Sequence, residues 1–199
     1  MTESSKAKIA GLLLAAGGSS RLGRPKQLVE WNGKTLIRRA AESLIRAGCS
    51  PVIVVLGADV ERSQEELVGL DVEPVINDSW ESGMGSSIAF GMGSILSIES
   101  PPDAVLVSLC DQPFVTTEKL RPFIETFRRS RADVIAASYK DVAGVPALFS
   151  AKLYPKLAAL KGEKGAQEII RNSPDVVTIP LPEAAIDVDS QTDLDRLMP

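Results

Sequence analysis

Residues Gly11 to Lys26 read GLLLAAGGSSRLGRPK, and the architecture expected of the whole chain follows from this stretch. A short apolar run turns directly into glycines and serines, and two arginines and a lysine follow. The apolar part, Ile9–Ala15, is continuous and short, as a buried parallel strand is. Small residues after it let backbone N–H groups approach oxygens closely. The cations that follow neutralise anionic charge. Strand, small-residue loop and cations, in that order, are what a phosphate-gripping loop needs; a surface turn after an edge strand is the plainer reading of the glycines and serines alone.

Outward from this loop, helical and strand periodicities alternate. Lys34–Ala47 is predicted to be an amphipathic helix, with Leu36, Ile37, Ala40, Ala41, Leu44 and Ile45 on one face. Gly48 fits its stop. Further strands are predicted at Val52–Leu56, Val72–Ile76, Ala104–Leu109, Val134–Ala137, Gly144–Phe149 and Val176–Ile179. Helices are predicted over Val60–Val68, Ser86–Ile98, from a Thr116 or Thr117 cap through Phe127, over Leu153–Leu160, and after Ile186–Asp189 as far as Leu197. Such alternation predicts βαβ units. The expected fold is a three-layer α/β/α sandwich around a mostly parallel, Rossmann-like sheet. No repeat, low-complexity tract or linker interrupts it, so one domain over residues 1–199 is expected.

Composition narrows the chemistry. A net charge of −4 carries no global signal for nucleic acid, so any anion site has to be made locally. The chain has no histidine, which removes histidine acid/base catalysis, Ser-His-Asp triads and histidine metal sites. Its two cysteines, Cys49 and Cys110, make no zinc pattern, and Cys110 reads as a packed, reduced thiol. No segment has transmembrane length and the N-terminus has no secretory pattern, so a cytoplasmic protein that does not engage a membrane is expected.

Ligands of open α/β sheets sit beyond the carboxyl ends of the strands. The glycine loop, the Asn77–Ser87 loop and Asp111 all follow strands, so they are expected to share one rim. The glycine loop is not a standard P-loop: Gly18 to Gly23 fits GxxxxG, but Arg24-Pro25 stands where Lys-Ser/Thr is required. GxGxxG is absent too. A basic nest for a triphosphate remains, in which Arg21 can fork two phosphate oxygens and Lys26 can act as a point charge; exposed surface positions are the alternative. Asp111, ending a buried strand before Pro113, suits a hard-cation ligand or a turn-capping residue. Mg²⁺ is held by one or two carboxylates plus substrate phosphates. Asp187 and Asp189 fall on one face of an extended segment. Either or both can aid the metal, or Asp189 can cap the last helix. Gly83 to Ser87 can approach a flat base through backbone groups and the Ser86 and Ser87 hydroxyls, or Ser86 can be an ordinary N-cap. Trp80 can stack or pack. Positioning and charge neutralisation suffice for phosphoryl and nucleotidyl transfer, which needs no histidine.

LLLAAGGSSRLGRPKQL, SGMGSSI, LCDQP, GVPALF, GEKGAQEII and IDVDSQTDL together resemble, in order and over most of the chain, the MobA-like nucleotidyltransferases. The set is most similar to the molybdenum cofactor cytidylyltransferase branch, which includes relatives serving xanthine dehydrogenase maturation. The resemblance implies a nucleotide-diphospho-sugar transferase-like fold and transfer of CMP from CTP to a molybdopterin-type phosphate with Mg²⁺ and release of pyrophosphate. Leu14-Ala15-Ala16-Gly17 favours cytidine over the Leu-Ala-Gly-Gly of related guanylyltransferases. By resemblance, Leu14, Ala15, Ala16, Gly17, Gly18 and Ser19 approach the nucleotide, and Gly83, Ser86 and Ser87 meet its base and ribose. Arg21, Lys26 and Asp111 would be catalytic, and Asp111, Asp187 and Asp189 would supply metal ligands. Gly144 to Pro146 (Gly144 and Pro146 foremost) and the segment Gly162 to Gln167, with Gly165, would border the acceptor. Val145 and Gln167 stand where the family often has histidine and arginine, and both departures fall on the acceptor side. A GTP-dependent enzyme, a sugar- or alcohol-phosphate transferase, and a non-catalytic delivery module for a molybdoenzyme are the alternatives.

Overall fold

In the computed structural model, which describes residues 7–18, 22–189 and 192–194, the run Ile9–Ala15 is strand β1, buried at every residue. The hairpin strands β2 (Glu30–Trp31) and β3 (Lys34–Thr35) come next in the chain, apart from the main sheet. β1 lies in the middle of a seven-stranded sheet, pairing in parallel with β4 (Val52–Leu56) and β6 (Ala104–Leu109). β5 (Glu73–Ile76) adds in parallel beyond β4. Beyond β6 come β8 (Val142–Ser150), β7 (Val134–Tyr139) and β9 (Val176–Pro180), giving the order β5-β4-β1-β6-β8-β7-β9.

The sheet is mostly parallel, as expected, with β8 reversed against both β6 and β7. The reversal has a local cause. Lys140 and Asp141 take left-handed conformations at φ 48° and 60°, and this tight turn leaves no room for a crossover helix.

Alternating side chains of each central strand feed two cores. Val52, Val54 and Leu56 enter one, with Leu44, Phe123 and Phe127. Ile53 and Val55 enter the other, with Ile88, Met92 and Phe149. Helices α1 (Leu36–Ala47), α2 (Val60–Leu67) and α4 (Thr117–Ser130) cover the first face. Helices α3 (Met84–Leu96), α5 (Tyr154–Ala158) and α6 (Gln167–Asn172) cover the second. This is the expected three-layer sandwich. Phe123 and Phe149 are fully buried on opposite faces, and each contributes about 1.5–3 kcal/mol of apolar burial.

Three elements differ from the sequence expectation. Lys34 does not open α1: it belongs to β3, which pairs with β2 across Asn32 and Gly33, at φ 52° and 75°. Two positive-φ residues are what a tight hairpin turn demands, so α1 begins only at Leu36. Helix α3 starts at Met84, two residues before the expected Ser86. The helix expected over 153–160 is a 3-10 turn, Ala151–Leu153, running into the short α5. Of the expected last helix, Thr192 to Leu194 are helical, and its remainder lies outside the described residues. Among the described residues no helix is long and apolar enough to cross a membrane.

A small third cluster matters for the site. Val29 and Leu36 pack with Val188 and Leu194, which clamps the segment after Lys26 against the segment carrying Asp187 and Asp189.

Candidate active site

The carboxyl ends of β1 and β6 open onto a cleft of about 360 Å³. Leu14 to Gly17 form one side, Lys26 and Asp111 lie on it, and Trp80, Gly83 and Ser87 face it from the loop before α3 and its first turn. The backbone of this rim is tied across elements. Ala58 N–H donates to Ala16 O at 3.0 Å, and Cys110 N–H donates to Leu14 O at 3.2 Å. Buried Gln27 donates from Nε2 to Ala58 O at 3.2 Å, so the turn bearing Lys26 is hung from the same residue that holds the glycine loop.

Lys26 reaches across the rim to two carboxylates. Its ammonium donates to Asp111 Oδ2 and to Asp189 Oδ1, the latter at 3.0 Å. Burial alone lowers the pKa of this lysine, but the Asp111 charge and the hydrogen bonds to Asp111 and Asp189 outweigh it and raise it above its ordinary value. The ammonium stays charged. The sequence reading aims Lys26 at phosphate, whereas here it bridges carboxylates, because opposite charges on a half-buried rim attract more strongly than in water.

Asp111 is held by its backbone: Val188 N–H donates to Asp111 O at 2.9 Å, and Gln112 Nε2 donates to Ala184 O at 2.7 Å. Its second oxygen, Oδ1, is buried and has no hydrogen-bond partner among the described residues. Asp187 is close enough that burial first, then the charges of Asp111 and Asp189, push its carboxyl up to about 6. The expected trio does not close as one metal-binding group: among the described residues no three such side chains stand at metal-ligand spacing. The physical reason is Lys26, whose ammonium is seated between Asp111 and Asp189. An orphaned buried carboxylate oxygen beside two more carboxylates still fits a hard cation that takes its other oxygens from phosphates.

The glycines of SGMGS do something the sequence did not reveal. Gly85 N–H donates to Gly162 O at 2.9 Å. Gly83 and Gly85 both approach the backbone of the 161–165 loop closely. Gly83, not Ser86, is the N-cap of α3. Ser86 turns its hydroxyl inward, donating to Gly83 O at 2.8 Å and accepting from Asn77 Nδ2 at 3.2 Å. Ser87 also accepts from Asn77 at 3.2 Å and lines the cleft, which Ser86 does not. Gly18 and Gly57 both pack on Trp80: a Cβ at either would fall 2.6 or 2.5 Å from its indole. Ser19 and Arg21 lie outside the described residues.

A second cleft, of about 590 Å³, adjoins the first and shares Met84, Leu109 and Glu163 with it. Gly144, Val145, Gly165 and Gln167 line it, while Pro146 is buried behind. Glu163 falls within the Gly162 to Gln167 segment that the resemblance sets beside the acceptor, whereas sequence reasoning missed Tyr139, which sits in no spacing that marks a function. Tyr139 donates to Val145 O at 3.1 Å. Burial, then the charges of Asp187 and Asp111, raise its pKa, which places it between this cleft and the carboxylates. Cys110 is inert: burial pushes its thiol up to about 12, and Asp111 adds to the effect.

Residues 11–177 match the family described as the MobA-like NTP transferase domain. The chain belongs to that family. Among curated relatives of this MobA-like protein, nicotine blue oxidoreductase of Paenarthrobacter nicotinovorans is 33% identical over 96% of both chains. A probable molybdenum cofactor guanylyltransferase of Bacillus mycoides is 34% identical over 59% of this chain and 56% of its own. The crystal structure of Rv0371c from Mycobacterium tuberculosis superposes with a TM-score of 0.82 at 26% identity, covering 98% of this chain and 99% of that one. A second structure of Rv0371c, described as a complex with manganese, superposes with a TM-score of 0.78 at 24% identity over 96% and 98%.

Proposed function

We propose that this protein is a divalent-metal-dependent nucleotidyltransferase of the cytoplasm that transfers CMP from CTP to the phosphate of a molybdopterin-type acceptor and releases pyrophosphate. One observation carries the reading. Two clefts meet at a shared wall, and the one that holds Lys26 and Asp111 adjoins a larger one. A transfer between two substrates needs such adjoining sites, and an acceptor phosphate is its own nucleophile. Its oxygen forms the new bond to the α-phosphorus of CTP, and the bond from that phosphorus to the bridging oxygen breaks, so the electron pair leaves with pyrophosphate.

Leu14 to Gly17 support the triphosphate with backbone, and Arg21 and Lys26 supply positive charge where charge accumulates. Asp111, helped by Asp187 or Asp189, would hold Mg²⁺, or the Mn²⁺ named for the mycobacterial relative. When bound, such an ion neutralises phosphate oxygens and orients the leaving group. Gly144, Pro146 and Gly165 shape the acceptor cleft. A molybdoenzyme such as xanthine dehydrogenase would be the client of the product. Ala16, in place of the first glycine of the Leu-Ala-Gly-Gly of guanylyltransferases, supports CTP as donor, although relatives named guanylyltransferases make GTP the competing base.

A second reading, an oxidoreductase, is favoured by the end-to-end likeness to nicotine blue oxidoreductase. One set of assays separates the readings. The protein is incubated with Mg²⁺, molybdenum cofactor and each nucleoside triphosphate, and pyrophosphate is followed. In parallel, reduced nicotinamide dinucleotides are offered with nicotine blue. Pyrophosphate from CTP alone is the expected result. Release from GTP alone overturns the base assignment. Dye reduction without pyrophosphate release favours the oxidoreductase, and nucleotide binding with neither reaction favours a delivery module.

A further inference from the structure

Lys26 touches two things that a nucleotidyltransferase must keep apart until substrate arrives. It lines the donor cleft, and its ammonium is bonded to Asp111 Oδ2 and Asp189 Oδ1. The contact is well enclosed: the Lys26 and Asp111 side chains are only 19% and 13% exposed. We propose that Lys26 gates the metal, so that a divalent cation binds tightly only after a nucleoside triphosphate has drawn this ammonium off Asp111 and Asp189. The inference rests on the nucleotidyltransferase reading and extends it.

The physics is an exchange of partners. An ammonium and a divalent cation repel strongly when both lie against one carboxylate in a partly desolvated site. While Lys26 holds Asp111 Oδ2, a metal reaching that carboxylate finds only Oδ1 free of protein partners among the described residues, with a positive charge beside it. A triphosphate in the adjoining cleft offers the ammonium more negative charge than the two aspartates do. The lysine stem is flexible enough to turn to it while its backbone stays fixed. Lys26 starts a 3-10 turn, Lys26–Leu28, that Gln27 anchors to Ala58, so the side chain can move without the loop moving. The carboxylates released by this swing then complete the metal site together with the phosphates. Nucleotide and metal therefore bind with positive coupling, and Lys26 is the residue that carries it.

Mn²⁺ is the probe, because its free and bound forms are distinguished by electron paramagnetic resonance. Mn²⁺ alone is titrated into wild type, Lys26→Met and the double variant Lys26→Met/Asp111→Asn, with circular dichroism as the check on folding. Lys26→Met keeps the apolar stem and removes the charge. It is expected to bind Mn²⁺ about tenfold tighter than wild type, or more, and the added Asp111→Asn is expected to abolish the gain. Equal or weaker affinity in a folded Lys26→Met overturns the gate, as does a gain that survives Asp111→Asn. Should Lys26→Met fail to fold, Lys26→Gln takes its place in the same comparison. In wild type, CTP is expected to add Mn²⁺-dependent protection against thermal unfolding that neither ligand gives alone. Protection by Mn²⁺ alone equal to that with CTP overturns the gate while keeping a metal site. No Mn²⁺ binding by any form, with or without CTP, overturns the underlying assignment of the metal to Asp111.

Discussion

The amide of Gly85 donates to the carbonyl of Gly162 at 2.9 Å, and this bond fastens the first turn of α3 to the loop over residues 161–165. The approach leaves no space for a side chain. A Cβ at Gly85 would stand 2.7 Å from Lys164 O and 2.9 Å from Lys161 O, and one at Gly83 would stand 2.5 Å from Gly162 O. Those neighbours are backbone atoms and cannot turn aside as a long side chain can. Met84 and Glu163, one from each partner segment, wall both clefts, so this fastening sets the spacing between them.

Gly85→Ala should therefore cost about 1–3 kcal/mol of stability, as overpacking does, and should raise KM for both substrates. Gly93, in the same helix, meets nothing within 4 Å, so Gly93→Ala should add about 0.5–1 kcal/mol through helix propensity. Urea denaturation of the pair checks both signs. Similar stability for the two variants would show that the 161–165 loop yields freely.

Asp111 Oδ1 is a buried carboxylate oxygen at the cleft without a hydrogen-bond partner among the described residues. Asp111→Asn keeps the shape and removes the charge. It should lower kcat by roughly 10²–10³, the scale on which loss of one preorganised electrostatic group is felt, while circular dichroism stays unchanged. Undiminished pyrophosphate release would take Asp111 out of the chemistry.

Asp187 makes stability depend on pH in a direction that can be worked out. Its carboxyl is pushed from 3.8 up to about 6, by burial first and then by the charges of Asp111 and Asp189. The folded protein thus favours the protonated form. Its contribution is favourable below the unfolded value and is lost as pH rises from about 4 to about 6. Asp187→Asn should consequently stabilise the metal-free protein above pH 6 and make no difference near pH 4. Denaturation midpoints of both proteins across this range test it; a benefit confined to the acid end would reverse the assignment.

Trp80 lines the cleft that holds Lys26 while resting on Gly18 and Gly57. With Trp31 replaced by phenylalanine, Trp80 is the only tryptophan in the chain. Its emission should change on addition of CTP with Mg²⁺ and report donor binding. Emission that stays constant at saturating nucleotide would place the base elsewhere.

Much of the rim was legible without coordinates. Parallel strands deliver their carboxyl ends to one edge, so two strands ending in Ala15-Ala16-Gly17 and in Cys110-Asp111 had to meet there. The hairpin before α1 was legible in principle, since Asn32-Gly33 is a strong tight-turn signal, and a helix read from Lys34 on its amphipathic pattern overlooks it. The reversal of β8 was not legible. Strand direction there depends on Lys140 and Asp141 both adopting left-handed backbone, which a lysine does not advertise. Tyr139 reaches the second cleft only because distant segments pack together.

By itself the sequence determined what short-range patterning encodes: apolar runs make the central strands, periodic faces make two covering layers, and a basic loop faces a lone strand-end aspartate. Only the tertiary structure decided which of these groups touch. Lys26 finds its carboxylates 85 and 163 residues away in the chain, and Gly83 and Gly85 close on the backbone of the 161–165 loop. Coulomb attraction and steric fit act over a few ångströms, and chain closure alone determines which residues come within that range.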